Sequence, residues 1–237
     1  MKQNKSSFKW RHFEPSLILL CVRWYCRYQL SYRDVAEMMQ ERGMEVDHST
    51  VWRWVQRYAP EINKRIRPYL KMSGTSYRVD ETYVKVGKEC KYLYRAVDKS
   101  GQTIEFMLSA KRDISAAKRF FKKMMRADHR RLPFSISVDQ NAAYPEAFTS
   151  SQVDKTLPSD CKLRRVKYLN NVIEQDHRFI KKKVRAVQCF KRFHTAERTL
   201  EGIEAVNMMR KGQVKRLAGS DAQGQAKFVE TLFEIAA

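Results

Sequence analysis

Three acidic residues stand where they could do chemistry together. Asp80 falls in Tyr77-Arg-Val-Asp-Glu-Thr-Tyr83, Asp139 in Ser137-Val-Asp-Gln-Asn141, and Glu174 in Asn170-Asn-Val-Ile-Glu-Gln-Asp-His177. Clustered carboxylates suit hard divalent cations, which take oxygen ligands and keep open positions for substrate. Two such ions roughly 3.5–4 Å apart can activate an attacking oxygen and stabilise a departing one, as phosphodiester cleavage requires. Each acid also has an ordinary reading. Asp80 could be a strand-end ion-pair partner, with Glu81 its direct rival, because a strand buried on both faces has no alternation to show which acid faces a site. Asp139 could cap a short helix starting near Ala142. Glu174 could pair with Arg178 at i+4.

The elements that must position these acids can be read from periodicity. Tyr77 to Val86, Tyr92 to Val97 and Thr103 to Leu108 are rich in β-branched and aromatic residues, with Gly87 and Lys99-Ser-Gly101 as turns, and read as an antiparallel meander. Asp113 caps a helix through about Arg126. A fourth strand, Phe134 to Val138, ends at Asp139, and a fifth is expected over Leu163 to Tyr168. Helices over about 171–191 and 195–211 follow. This order predicts an α/β fold, a ribonuclease H-like core with a mixed five-stranded sheet. In such a sheet the first and fourth strands are neighbours, so Asp80 and Asp139 can meet and the following helix can bring Glu174 alongside.

Three helical patterns precede the strands. The first follows Pro15, with Leu17, Leu20, Cys21, Trp24, Tyr25 and Tyr28 at helical spacing. The second starts at the N-cap Ser31, with Asp34 three residues on, and Gly43 stops it. The third starts near Asp47 to Ser49, carries Val51, Val55 and Tyr58 inward, and is expected to end before Pro60. The helix–Gly turn–helix resembles a helix-turn-helix, which reads the major groove with the start of its second helix. Its candidate DNA contacts are Ser49, Thr50, Arg53 and Arg57; an ordinary helical hairpin is the competing reading. Of the neighbouring tryptophans, Trp52 is expected in the core, and Trp54 is left open between the core and a stacking role. The expected division is a helix-turn-helix domain over 1–71, a catalytic domain over 72–211 and a tail with a short helix over 212–237. A fragment starting near Met72 is expected to fold.

Lys and Arg number 47 against 26 Asp and Glu, a formal charge of +21. Such an excess calls for a polyanion, and nucleic acid is the default partner. Residues 1–71 carry 14 basic and 7 acidic side chains, net +7; residues 72–191 carry 26 and 13, net +13; residues 192–237 carry 7 and 6, net +1. The DNA path is therefore expected across the first two segments. On the last-named acid's helix, Glu174, Arg178, Lys181 and Arg185 share one stripe, with Ile173, Ile180, Val184 and Val187 beside it. Lys181 is expected to reach a DNA phosphate, with Arg178 as a further contact. Five cysteines without C-x-x-C spacing suggest reduced thiols and a cytoplasmic protein. The apolar run from Leu17 to Val22 is too short to span a bilayer.

Arg78-Val-Asp-Glu-Thr-Tyr-Val-Lys-Val86, Lys91-Tyr-Leu-Tyr-Arg-Ala-Val-Asp-Lys99, Asn170-Asn-Val-Ile-Glu-Gln-Asp-His-Arg178, Phe193 to Glu204 and Met209-Arg-Lys-Gly-Gln213 resemble the DDE transposases of the insertion-sequence-six family. The resemblance covers nearly the whole chain to about Gln213. It implies a bacterial transposase whose triad falls on Asp80, Asp139 and Glu174, with 34 residues between the last two and the family's basic residue on Lys181. It implies Mg²⁺ or Mn²⁺ as cofactor, two ions in the active complex. The DNA partners would be terminal inverted repeats and a target duplex, held by a homodimer or a larger synaptic oligomer. The family often carries a lysine after its second aspartate; here Gln140 and Asn141 follow. A transcription regulator, a ribonuclease H-type nuclease and an inactive transposase copy are the competing readings.

Overall fold

The computed structural model describes Phe8 and residues 12–166, 171–186 and 190–235. Its contacts divide the chain into two compact units, residues 1–66 with 198–237, and residues 67–197.

The first unit is helical: α1 (Pro15–Arg27), α2 (Tyr32–Gln40), α3 (His48–Ile66), the later part of α7 (Phe193–Arg210) and α8 (Ala222–Leu232). Ser31 and Asp34 form a reciprocal capping box that starts α2. Gly43, at φ +71, takes the left-handed turn between α2 and α3. The buried face of α1 is Ile18, Leu19, Cys21, Val22, Tyr25 and Cys26, shifted from the expected stripe; Tyr28 lies past the helix end and is exposed. α3 runs through Pro60 to Ile66 instead of ending before it. Ile62 and Ile66 continue the buried stripe of Val55, Tyr58 and Ala59, so packing outweighs the loss of one backbone N–H. Trp52, expected in the core, is 40% exposed, and Trp54 is buried. Trp54 stands at i+3 from Val51 and i−4 from Tyr58, on the inner stripe, while Trp52 stands off it.

The C-terminal residues expected to form the end of the catalytic domain and a tail instead group with the N-terminal helices. Side-chain donors of the N-terminal helices explain this. Arg23 donates to the Ala222 carbonyl at 2.9 Å, Arg65 to that of Leu232 at 2.8 Å, and buried Gln56 to Thr199 at 2.9 Å. A Cβ on Gly202 would lie 2.5 Å from that of Ala59 and 2.8 Å from the Cys26 sulfur, so glycine lets α7 approach α1 and α3.

The second unit is the α/β core. Strands β1 (Ser76–Val86), β2 (Glu89–Asp98), β3 (Thr103–Ser109), β4 (Ser135–Val138) and β5 (Lys162–Arg165) form one sheet in the order β3-β2-β1-β4-β5. The β1–β2 and β2–β3 pairs are antiparallel, and β1–β4 and β4–β5 are parallel. This is the ribonuclease H-like arrangement. The fifth strand is shorter than expected within the described residues, and Lys167 and Tyr168 lie outside them. Helices α4 (Ile114–Met124, capped by Asp113) and α5 (Ala143–Val153) cover one face, burying Tyr77, Val79, Tyr94, Phe120, Phe121 and Tyr144 together. Helix α6 (Asn171–Ala186) packs on β1. Among the described residues no helix is long and apolar enough to cross a membrane. Cys21, Cys26, Cys90 and Cys161 are free thiols; Cys189 lies outside the described residues.

Candidate active site

Strand pairing brings the two aspartates to one place. In the parallel β1–β4 register, Arg78 lies opposite Ser137; two residues further on, Asp80 comes level with Asp139, just past the end of β4. Neighbouring strands run roughly 4.8 Å apart. Both carboxylates are partly open, Asp80 at 17% and Asp139 at 32% side-chain exposure.

The rivalry between Asp80 and Glu81 is a matter of faces. Asp80 pairs with Arg95 across the β1–β2 ladder, and Arg95 forms a buried ion pair with Asp176 of α6 at 2.6 Å. Next to Asp176, buried His177 places Nε2 3.3 Å from Asp80 Oδ2. Asp80 therefore belongs to the α6 side. Glu81 turns toward α4 and α5. Its carboxylate is 3% exposed and accepts from the Tyr144 hydroxyl, from the Arg112 guanidinium and from Asn141 Nδ2 at 3.1 Å. Burial pushes its pKa above the usual glutamate value, against the pull of the Tyr144 and Arg112 bonds.

Arg112 links Glu81 to Asp139. It also donates through Nη2 to Asp139 Oδ2 at 3.0 Å. Asp139 Oδ1 accepts the Asn141 amide at 3.0 Å, and Asn141 Oδ1 in turn accepts the Ala143 amide at 3.1 Å at the start of α5. The asparagine in the Gln140-Asn141 departure thus shapes the turn that carries Asp139. Arg165 donates to the Gln140 carbonyl at 3.1 Å.

Glu174 is exposed on α6, one turn before His177, as are Arg178, Lys181 and Arg185. Ile173, His177, Ile180 and Lys183 are buried instead, so the Lys181-Lys-Lys183 run is not one solvated face. Val184 is half-buried, and Val187 lies outside the described residues. Among the described residues no three His, Cys, Asp or Glu side chains converge closely enough to hold a metal ion. The donors nevertheless suit one: they are carboxylate oxygens, the aspartates are reachable, and a cationic guanidinium already sits against Asp139.

In the helical unit, Ser49 and Thr50 are half-buried at the start of α3, and Arg53 and Arg57 are exposed. Asp47 accepts the Ser49 amide at 2.8 Å, and hydrogen bonds from the Ser49 side chain and amide hold its carboxyl below the usual range. Sequence reasoning missed Arg112, Tyr144 and His177, and noted Asn141 only as a departure from the family's pattern. Arg112 alone carried a signal, a cation between the end of a strand and the Asp113 cap.

Residues 74–213, more than half of the chain, match the family DDE_Tnp_IS240, described as a DDE domain. The chain is 39% identical over 199 residues to the transposase for insertion sequence-like element IS431mec of Staphylococcus aureus, covering 84% of this chain and 86% of the relative. It matches the transposase for insertion sequence element IS257 in transposon Tn4003, also from Staphylococcus aureus, at the same identity and coverage. Among solved structures, the BIV integrase catalytic core domain has a TM-score of 0.41 at 16% identity, covering 66% of this chain and 98% of that chain. The HTLV-2 integrase catalytic core domain in complex with magnesium, in its trimeric form, has a TM-score of 0.43 at 16% identity, covering 55% and 84%. The fold assignment itself rests on the strand order. The motifs, the matched domain and the relatives agree: this chain belongs to the DDE transposases of the insertion-sequence-six family.

Proposed function

We propose that this DNA transposase binds the terminal inverted repeats of its insertion sequence, cleaves at their 3′ ends and joins them to target DNA, with Asp80, Asp139 and Glu174 as the metal-binding triad. The observation that carries the reading is the β1–β4 register, whose last pair is Arg78 with Ser137 and which, continued by two residues, sets Asp80 level with Asp139, while α6 touches Asp80 through His177 one turn from Glu174. Asp80 is preferred to Glu81 because the Glu81 carboxylate is buried and engaged by three donors.

Asp80, Asp139 and Glu174 would hold Mg²⁺ or Mn²⁺, two ions in the active complex. When bound, the ions supply Lewis-acid activation of the attacking oxygen and charge stabilisation of the leaving one. The protein's own residues do the rest. Arg178 and Lys181, exposed beside Glu174, contact the DNA backbone. Arg53 and Arg57, with Ser49 and Thr50 at the start of α3, read the inverted repeat in the major groove. Two ends must be held together, so a homodimer or a larger synaptic oligomer is the working form, in the cytoplasm at the nucleoid.

The test is a joining assay with labelled inverted-repeat ends and target DNA, with and without Mg²⁺. Asp80→Asn, Asp139→Asn and Glu174→Gln should each lower joining by about a hundred- to a thousandfold, the range for losing one group that stabilises developing charge, with end binding nearly unchanged. Glu81→Gln should keep measurable joining. Wild-type joining by Asp80→Asn, with loss in Glu81→Gln, would reassign the first ligand.

A further inference from the structure

We infer that Arg112 is a built-in countercation for the second aspartate, one that competes with the divalent cation for Asp139 until DNA draws it away. The inference rests on the proposed reading of Asp139 as a metal ligand.

Arg112 stands between the end of β3 and the Asp113 cap of α4. It is two-pronged: Nε donates to Glu81, and Nη2 donates to Asp139 Oδ2 at 3.0 Å. The other Asp139 oxygen accepts the Asn141 amide. Both oxygens of Asp139 therefore already have donors, and one donor is a full positive charge. The Asn141 amide is fixed by the turn into α5. The arginine head is a third exposed and hangs on a long side chain, so it is the partner able to leave.

A guanidinium cannot give up its proton in a protein. It either releases Oδ2 or stays as a like charge beside an arriving cation. Release does not orphan it, because the Nε contact to the buried Glu81 carboxylate remains as an anchor. Tyr144 and Asn141 hold Glu81 in place for that purpose. Among the described residues the first aspartate has no such guanidinium contact: the His177 imidazole lies 3.3 Å from its Oδ2 and the Glu81 amide donates to its Oδ1. A DNA phosphate offers the freed Nη2 edge a new acceptor, so DNA should favour release. By linkage, metal and DNA then bind cooperatively.

The experiment measures Mn²⁺ binding to the full chain by calorimetry, without DNA and with a non-cleavable inverted-repeat end. Without DNA, Arg112→Gln should bind Mn²⁺ on the order of tenfold more tightly than wild type, the weight of one largely screened like-charge contact. Arg112→Lys keeps the charge but cannot span both acids, and should tighten binding less. The duplex should improve wild-type affinity and improve that of Arg112→Gln little. Circular dichroism checks folding; if Arg112→Gln does not fold, Arg112→Lys decides. Arg112 variants that bind Mn²⁺ no more tightly than wild type, while Asp139→Asn loses it, overturn the inference and leave the ligand reading standing. Unchanged binding by Asp139→Asn overturns the ligand reading itself.

Discussion

Single residues in the core of the second unit are held by charge and hydrogen bonding as much as by shape. His129 is an example away from the acids. It is buried, with Nε2 3.2 Å from the Thr103 carbonyl oxygen, and its Nδ1 has no hydrogen-bond partner among the described residues. Burial, the largest cause, holds its pKa below the ordinary 6.5. On acidification the unfolded chain takes up this proton before the folded one does. The contribution of His129 to stability is therefore complete above 6.5 and is lost as pH falls from there through the lower folded value. Urea unfolding between about pH 7.5 and about pH 5.5 should show wild-type stability falling on the acid side, and His129→Gln should flatten that fall. An equal slope in the variant would place the dependence elsewhere.

At the scale of elements, α6 is the piece on which the site depends. Its inner face mixes Ile173 and Ile180 with buried His177 and Lys183, and Asp176 joins it to β2 through Arg95. The Arg95 side chain is fully buried and that of Asp176 is 8% exposed, so losing one partner leaves a buried charge. Asp176→Asn should cost roughly 3–5 kcal/mol of stability and lower joining more than DNA binding, because Glu174 rides on the same helix. Replacing both, as Arg95→Met with Asp176→Leu, should recover much of the stability. Denaturant unfolding beside the joining assay checks this; a fully stable and active Asp176→Asn would show that the pair does not position the helix.

Over the whole molecule, the boundary suggested by composition at residue 72 separates the C-terminal helices from their partners. Leu200, Ile203, Val206, Met209 and Val229 are buried in the unit that also holds residues 1–66. A fragment starting at Met72 should therefore expose an apolar face, bind an apolar dye and exchange the amides of 198–232 rapidly, whereas the full chain protects them. A fragment with those amides protected would show that α7 and α8 do not need the N-terminal helices. On the proposed function the charge would divide the labour along the sequence: the +13 of residues 72–191 would give nonspecific affinity, and α3 would supply preference for the ends.

Much of this architecture is written locally. The Ser31–Asp34 box, the Asp113 cap and the left-handed Gly43 each depend on a few adjacent residues, so the elements they bound could be read from the chain. The meander and the strand ending at Asp139 were legible for the same reason, and with them the prospect of Asp80 and Asp139 on neighbouring strands. Other features depend on groups distant in sequence. β1 alternates, but its buried face changes from that of Tyr77 and Val79 to that of Thr82, Val84 and Val86 at the Asp80-Glu81 step, so alternation could not separate the two acids; α6 packs beside Asp80, and Tyr144 with Asn141 hold Glu81 on the other face. Pro60 inside α3 and the exposure of Trp52 beside buried Trp54 follow from the packed stripe around them. The contact of Arg112 with Asp139, 27 residues away, and the union of residues 198–237 with the N-terminal helices exist only once the chain has folded, because no local pattern encodes which distant partner a long side chain or an apolar face will meet.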